Sequence, residues 1–182
     1  SDASGSGSPT GSVQFLVDAA NFGTPVDLSE GMASLTVTTL AAGTHQIEAI
    51  YISNNPNIFK DARTTSPISQ LVTPATLTIT ADDQTKVYGA ALPSLTVSYS
   101  GFVNGDTSAS LVTQPRVTTT ATAASRVGTY SITATEAADP NYEIRYVGGT
   151  LTVTPIATTF TVSASPNPSV VGQSVTFTAT MI

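Results

Sequence analysis

Two stretches, Thr76 to Thr80 (TLTIT) and Thr150 to Thr154 (TLTVT), set a threonine and an aliphatic residue in strict alternation. Successive side chains of an extended strand point to opposite faces, so this pattern writes a strand with one apolar and one hydroxyl face. The same period recurs along the chain. Val13, Phe15 and Val17 alternate with Gln14, Leu16 and Asp18. Ala33, Leu35 and Val37 alternate with Ser34, Thr36 and Thr38, and Ile47, Ala49 and Tyr51 face away from Gln46 and Glu48. Further sets are Leu95, Val97 and Tyr99; Tyr130, Ile132 and Ala134; and Tyr142, Ile144 and Tyr146, with Ile68 to Val72 as a closing strand. In each, the first-named set is expected to face inward, and an inward tyrosine needs a partner for its hydroxyl. The 32 Thr and 21 Ser, with few Lys, Arg, Glu or Gln, favour pleated, half-buried surfaces over helices. The expected fold class is all-β.

With 182 residues, 40% of them hydrophobic, the chain can bury two cores of ordinary domain size. Two Lys and four Arg face twelve acids, for a net charge of -6, so the basic stripe that nucleic acid requires is missing. The absence of Cys removes disulfides, thiol nucleophiles and Cys-based zinc sites. No apolar run reaches the roughly 20 residues of a membrane span. Residues 1 to 10 (SDASGSGSPT) have linker composition, and Ser1-Asp2-Ala3-Ser4-Gly5 resembles neither a secretory leader nor an initiator region. The expectation is a segment from inside a longer chain, or a processed one.

The phrases PTGSVQF and LAAGTHQIEAIY, followed by NNPNIF, resemble the bacterial Ig-like repeat family. The opening strands of that family, T-x-T-x-S-x-P-N-P and then G-Q-x-V-T-F-T-A, are absent from the N-terminal part and reappear at the other end as SASPNPSVVGQSVTFTA. Between them, KVYG, GFVNGDT, VGTYSITAT and NYEIRYVGGTLTVTP resemble in order the MBG family, YGX type, of large bacterial surface proteins. Asn104-Gly105-Asp106 and Gly148-Gly149 are turn signals expected to reverse the chain between strands. The resemblance implies three parts arranged end to end: residues 1–74, an Ig-like domain lacking its opening strands; 75–155, an MBG-like β domain; and 156–182, the opening strands of a further Ig-like domain. The first and last hold 74 and 27 residues, 101 together, close to the roughly 100 of one Ig-type sandwich.

Chemistry has little to stand on. The one histidine, His45, opens a strand and has no nucleophile-elbow motif to serve, and no pair of carboxylates is spaced for glycoside hydrolysis, so no enzyme activity is expected. A calcium ion could draw on Asp82, Asp83 or Asp139 with Asn141. No EF-hand or nonapeptide spacing supports one, and the expectation is no cofactor. A lysine-to-asparagine isopeptide bond would need Lys60 or Lys86 buried. Thr-x-Thr rows at Thr76–Thr80, Thr150–Thr154 and Thr176–Thr180 are expected in separate strands of different domains, as ordinary exposed faces. Tyr88, Tyr99 and Tyr146 could form a small platform for a surface glycan, which makes a carbohydrate-binding or adhesive module the alternative reading.

Phe160, Val162, Val175 and Phe177 give the terminal strands an apolar face that needs completion, and Val13, Phe15 and Val17 are its expected counterpart. The partners expected are identical or similar repeats, head to tail. The leading reading is a structural repeat segment of an extracellular bacterial fibre or adhesin stalk at the cell surface.

Overall fold

The computed structural model describes residues 8–182; most of the linker-like opening, residues 1–7, lies outside the described residues. The strands are β1 (Gly11–Val17), β2 (Ala20–Asp27), β3 (Gly43–Ser53), β4 (Ala62–Arg63), β5 (Ile68–Val72), β6 (Ala75–Ala81) and β7 (Gln84–Val87). They continue with β8 (Val97–Ser100), β9 (Arg116–Thr119), β10 (Gly128–Thr135), β11 (Tyr142–Val147), β12 (Gly149–Thr154), β13 (Phe160–Ser165) and β14 (Thr176–Met181). The only helical turn among the described residues is Ser108–Ser110, so the all-β expectation holds.

The chain divides into two compact units. One takes the described residues through Ile79 with Tyr99–Pro115 and Glu136–Arg145; the other takes Thr80–Ser98, Arg116–Thr135 and Tyr146–Ile182.

In the first unit, β2-β1-β3-β4 form an antiparallel sheet with β5 also paired to β3. β2 was not expected, because its hairpin turn lacks the usual Asn-Gly or Asp-Gly pair. Asp18 (φ 52°) and Ala19 (φ 66°) make the two-residue turn with both residues left-handed. The Asp18 carboxylate offsets that strain by accepting the Gln46 N–H at 2.9 Å. Ladder pairing is irregular between Val13 and Phe15, where the buried Gln14 amide donates to the carbonyls of Phe22 (3.2 Å) and Gly23 (3.3 Å). Ala33 to Val37, expected as a strand, is not one: no backbone–backbone hydrogen bond joins the segment Ala33 to Leu40 with any described residue. An alternating segment becomes a strand only beside another, and its neighbour is missing among the described residues.

The same unit holds Ala75–Ile79, Tyr99–Ser100 and Tyr142–Arg145 of a sheet ordered β11-β6-β8. Leu77 and Ile79 are fully buried, as their alternation with threonine requires. Tyr142 is buried and its hydroxyl, 2.7 Å from Asp106 Oδ2, also accepts the Val103 N–H at 3.1 Å. Those two bonds fasten the expected turn, in which Asn104 (φ 56°) and Gly105 (φ 83°) are both left-handed. Tyr51 and Tyr130 also find partners, the carbonyls of Thr10 and Arg126.

The second unit contains a sheet ordered β7-β12-β10-β9, with β7 parallel to β12 and the other pairs antiparallel. Its core is Ala81, Ala121, Ile132 and Leu151, against which Leu95, Val117 and Tyr130 pack. Leu95 therefore serves as core, two residues before β8 begins. Gly148 and Gly149 do not make a hairpin reversal: β11 and β12 belong to different sheets. Hydroxyl rows are also more continuous than expected, since Thr152 lies between Thr85 and Thr129 in register. The last sheet is the two-stranded hairpin β13–β14.

Candidate functional site

The register of β13–β14 sorts its side chains completely. Phe160 pairs with Met181, Val162 with Ala179 and Ala164 with Phe177, so all six lie on one face; Thr161, Ser163, Ser165, Thr176, Thr178 and Thr180 form the other. The apolar face is open. Phe160 is 66% exposed, Val162 64%, Phe177 74% and Met181 72%. Val175 lies one residue before β14 and is half-buried, so it stands beside this face rather than in its ladder. A two-stranded hairpin is marginal in water by itself, and each large apolar side chain gains about 1.5–3 kcal/mol on full burial.

The N-terminal sheet has an apolar face of its own. Cross-strand rows run Val26–Val13–Tyr51, Phe22–Phe15–Ala49 and Ala20–Val17–Ile47, the last continuing to Ile68. Val13, Phe15 and Val17 share this face as expected, but they are only half-buried, whereas Leu16, expected outward, is 4% exposed. Leu16 sits on the central strand between Asn21 and Glu48, while the Val13 face lacks a full covering layer among the described residues. A groove of about 400 Å³ remains there, lined by Leu35, Val37, Leu40, Ile47 and Val72. Leu35 and Val37 thus lie over the sheet without pairing to it. Among the described residues this sheet has five strands, in one layer, where an Ig-type sandwich has about seven in two.

Residues 1–73 match the family model described as bacterial Ig-like domain (group 3), and residues 77–152 match the one described as MBG domain (YGX type). The chain joins a bacterial Ig-like domain to an MBG domain. Both kinds of domain are typical of surface or extracellular proteins, and the pair fits a repeat of a surface or adhesin-type protein. No curated protein and no solved structure matches the chain significantly. No helix among the described residues is long and apolar enough to cross a membrane.

The other candidates are dispersed. In the MBG domain the Asp82 carboxylate accepts the hydroxyls of Ser98 (2.5 Å) and Thr96 (2.7 Å), in that order of effect, which holds its pKa below the usual value. Asp83 accepts the Thr150 N–H. Asp139 accepts the Asn141 N–H, and Asn141 Oδ1 in turn accepts the Ala42 N–H at 2.8 Å, beside a hollow of about 490 Å³. Among the described residues no three acids or histidines converge on one point. Tyr99 packs on Phe102, with ring centroids 5.4 Å apart, while Tyr88 and Tyr146 remain exposed. Lys60 is exposed; Lys86 is buried with its ammonium on backbone carbonyls.

His45 is engaged through both ring nitrogens. Nε2 stands 3.0 Å from the Ala41 carbonyl and Nδ1 2.7 Å from Asp18 Oδ2. Only the imidazolium donates from both, so the Ala41 carbonyl first and Asp18 second raise the His45 pKa above its usual value. Asp18 is lowered, first by the Gln46 N–H and then by His45. A raised folded-state pKa gives stability that is complete below the unfolded value of about 6.5 and disappears as pH climbs through the folded value. The Ig-like domain is therefore expected to melt progressively lower as pH climbs above about 6.5, and His45→Gln to flatten that slope. An unchanged slope in His45→Gln would assign the pH dependence elsewhere. Acid weakens the same link from the other side, as Asp18 protonates at a pH below the ordinary aspartate range.

Proposed function

We propose that this chain is a non-enzymatic structural repeat segment of an extracellular bacterial fibre or adhesin stalk, whose terminal strands complete an Ig-like fold with the adjacent repeat or subunit. The observation that carries the reading is the pair of uncovered apolar faces: a terminal hairpin with one wholly apolar side, and an Ig-like sheet short of its second layer. A sheet face or edge left in this state is a template for another strand, and covering it yields a closed sandwich. Completed in this way, successive domains become mechanically continuous. Tension then runs through registered ladders such as Gly11–Val17 against Ile47–Ser53. The low charge and hydroxyl-rich outer faces suit a segment that must remain extended in solvent without recruiting nucleic acid.

Electron microscopy combined with chain mass under denaturing conditions tests the proposal. Filaments built from 18.6 kDa chains, or from a far longer chain carrying this segment repeatedly, support it. Isolated monomers that turn over a substrate, with turnover abolished by a single acid or His45 substitution, would overturn it.

A further inference from the structure

We infer that the hairpin β13–β14 docks on the unpaired segment Ala33–Leu40 of a second copy of this chain, adding its free edge there while its apolar face closes over the Val13, Phe15 and Val17 face. The inference rests on the proposed strand completion and names its partner and its acceptor edge.

Three independent features converge on that segment. Its backbone from Ala33 to Leu40 makes no backbone–backbone hydrogen bond with any described residue, although apolar and polar residues alternate along it as a strand requires. It lies over the apolar face of the Ig-like sheet, beside the groove lined by Ile47 and Val72, so a strand paired to it is automatically a second layer. Its sequence parity matches the donor: Ala33, Leu35 and Val37 alternate with Ser34 and Thr36 as the apolar and hydroxyl residues of the hairpin do, and a strand there would turn Thr38, which now lines the groove, to the outer face. A shift of one residue would put every threonine into the core, so the register is specified by the pattern itself.

Charge gives a further sign. Exposed strand edges are ordinarily blunted by Lys, other charges or inward-pointing acids. The chain from Ile156 to Ile182 carries no ionisable side chain, and neither does Gly31 to Thr44. Both edges lack the features that keep a solvent-facing edge solitary. The occupant is a second copy because every copy carries both an uncharged hairpin and an uncharged segment of matching alternation, so one surface of the chain fits another. The contact is heterologous, donor to acceptor, and each subunit retains one of each, so growth is open-ended unless the rotation closes.

The test uses the whole chain with light scattering on a sizing column and negative-stain microscopy over a range of concentrations. Wild type is expected to assemble with little dependence on salt. Phe177→Asp removes the donor and Leu35→Asp the acceptor, so each alone stays monomeric and melts as wild type does when diluted to monomers, without the gain that assembly adds. Mixed in equal amounts they retain one intact donor and one intact acceptor and form a discrete 1:1 dimer. Thr178→Asp, on the hydroxyl face, assembles as wild type. A wild type that remains monomeric, single variants that assemble normally, or a mixture that gives no dimer overturns the second-copy contact. A monomeric wild type found alongside fibres of a longer natural chain leaves the stalk reading standing, with completion inside one polypeptide.

Discussion

Gly149→Ala is expected to destabilise the MBG domain by about 3 kcal/mol, the upper end of what overpacking by a single methyl group costs. The reason is backbone meeting backbone. A Cβ at Gly149 would collide with the Ala81 carbonyl oxygen and lie 2.9 Å from its carbon and 3.2 Å from that of Asp82. Neither obstacle can rotate aside. Ala81 is 2% exposed and belongs to the core with Ile132 and Leu151, while Gly149 is held in register opposite Ile132. The Asp83 carboxylate uses the same close approach to accept the Thr150 N–H, so separating the two segments also stretches that bond. For a domain of this size each kcal/mol moves the melting midpoint by about 4–8 °C, so the drop is roughly 12–24 °C. Gly148→Ala is the control: its new methyl meets only the Ile132 carbonyl oxygen at 3.4 Å, an ordinary contact, and its midpoint stays close to wild type. Equal melting of both variants would remove the close-approach explanation of this glycine pair.

The Gly148-Gly149 pair also shows where reading along the chain loses information. Two glycines between strands look the same whether they make a turn or clear space for a passing backbone, and the difference depends on Ala81, far away in sequence. Long-range identity was legible where alternation and residue type agreed: Leu77 and Ile79 in β6, Leu151 and Val153 in β12, and Tyr130, Ile132 and Ala134 in β10 all lie in strands, with only Tyr130 less than fully packed. Two elements escaped for opposite reasons. β2 has Gly23 and Pro25 within it and a turn of Asp18 and Ala19, so its strand signal is weak; register with β1 makes it a strand despite composition. Ala33–Val37 has the strongest local alternation in that part of the chain and is not a strand, because pairing comes from a neighbour and not from the segment. Of the candidate site, the faces of Phe160, Val162 and Phe177 were readable at period two. Acceptor status for Ala33–Leu40 was not, since an absent hydrogen-bond partner leaves no mark on the sequence.

Lys86→Met should cost the MBG domain about 3 kcal/mol, although it keeps the aliphatic stem and adds an apolar group to a buried site. Lys86 is 6% exposed, and its Nζ donates to the carbonyls of Ala90 (2.9 Å), Ala123 (3.0 Å) and Val87 (3.4 Å). An ammonium has three protons, and each is matched by one acceptor. The result is a knot between the turn after β7 and the loop before β10, segments that no ladder connects directly. Methionine removes all three donors and returns those carbonyls to whatever water can reach them; since Val87 at the end of β7, Ala90 and Ala123 are all exposed residues, partial rehydration keeps the loss well below that of three orphaned core acceptors. Arginine is not expected to rescue, because a planar fork cannot serve three convergent carbonyls as a compact ammonium does. Hydrogen exchange locates the effect: amides around Ala90 and Ala123 should open first in Lys86→Met, with those of β1 and β3 unchanged. Were Lys86→Met to melt with wild type, the carbonyl knot would be incidental, and the position would be held by the packing of its stem beside Val153, its register partner in β12.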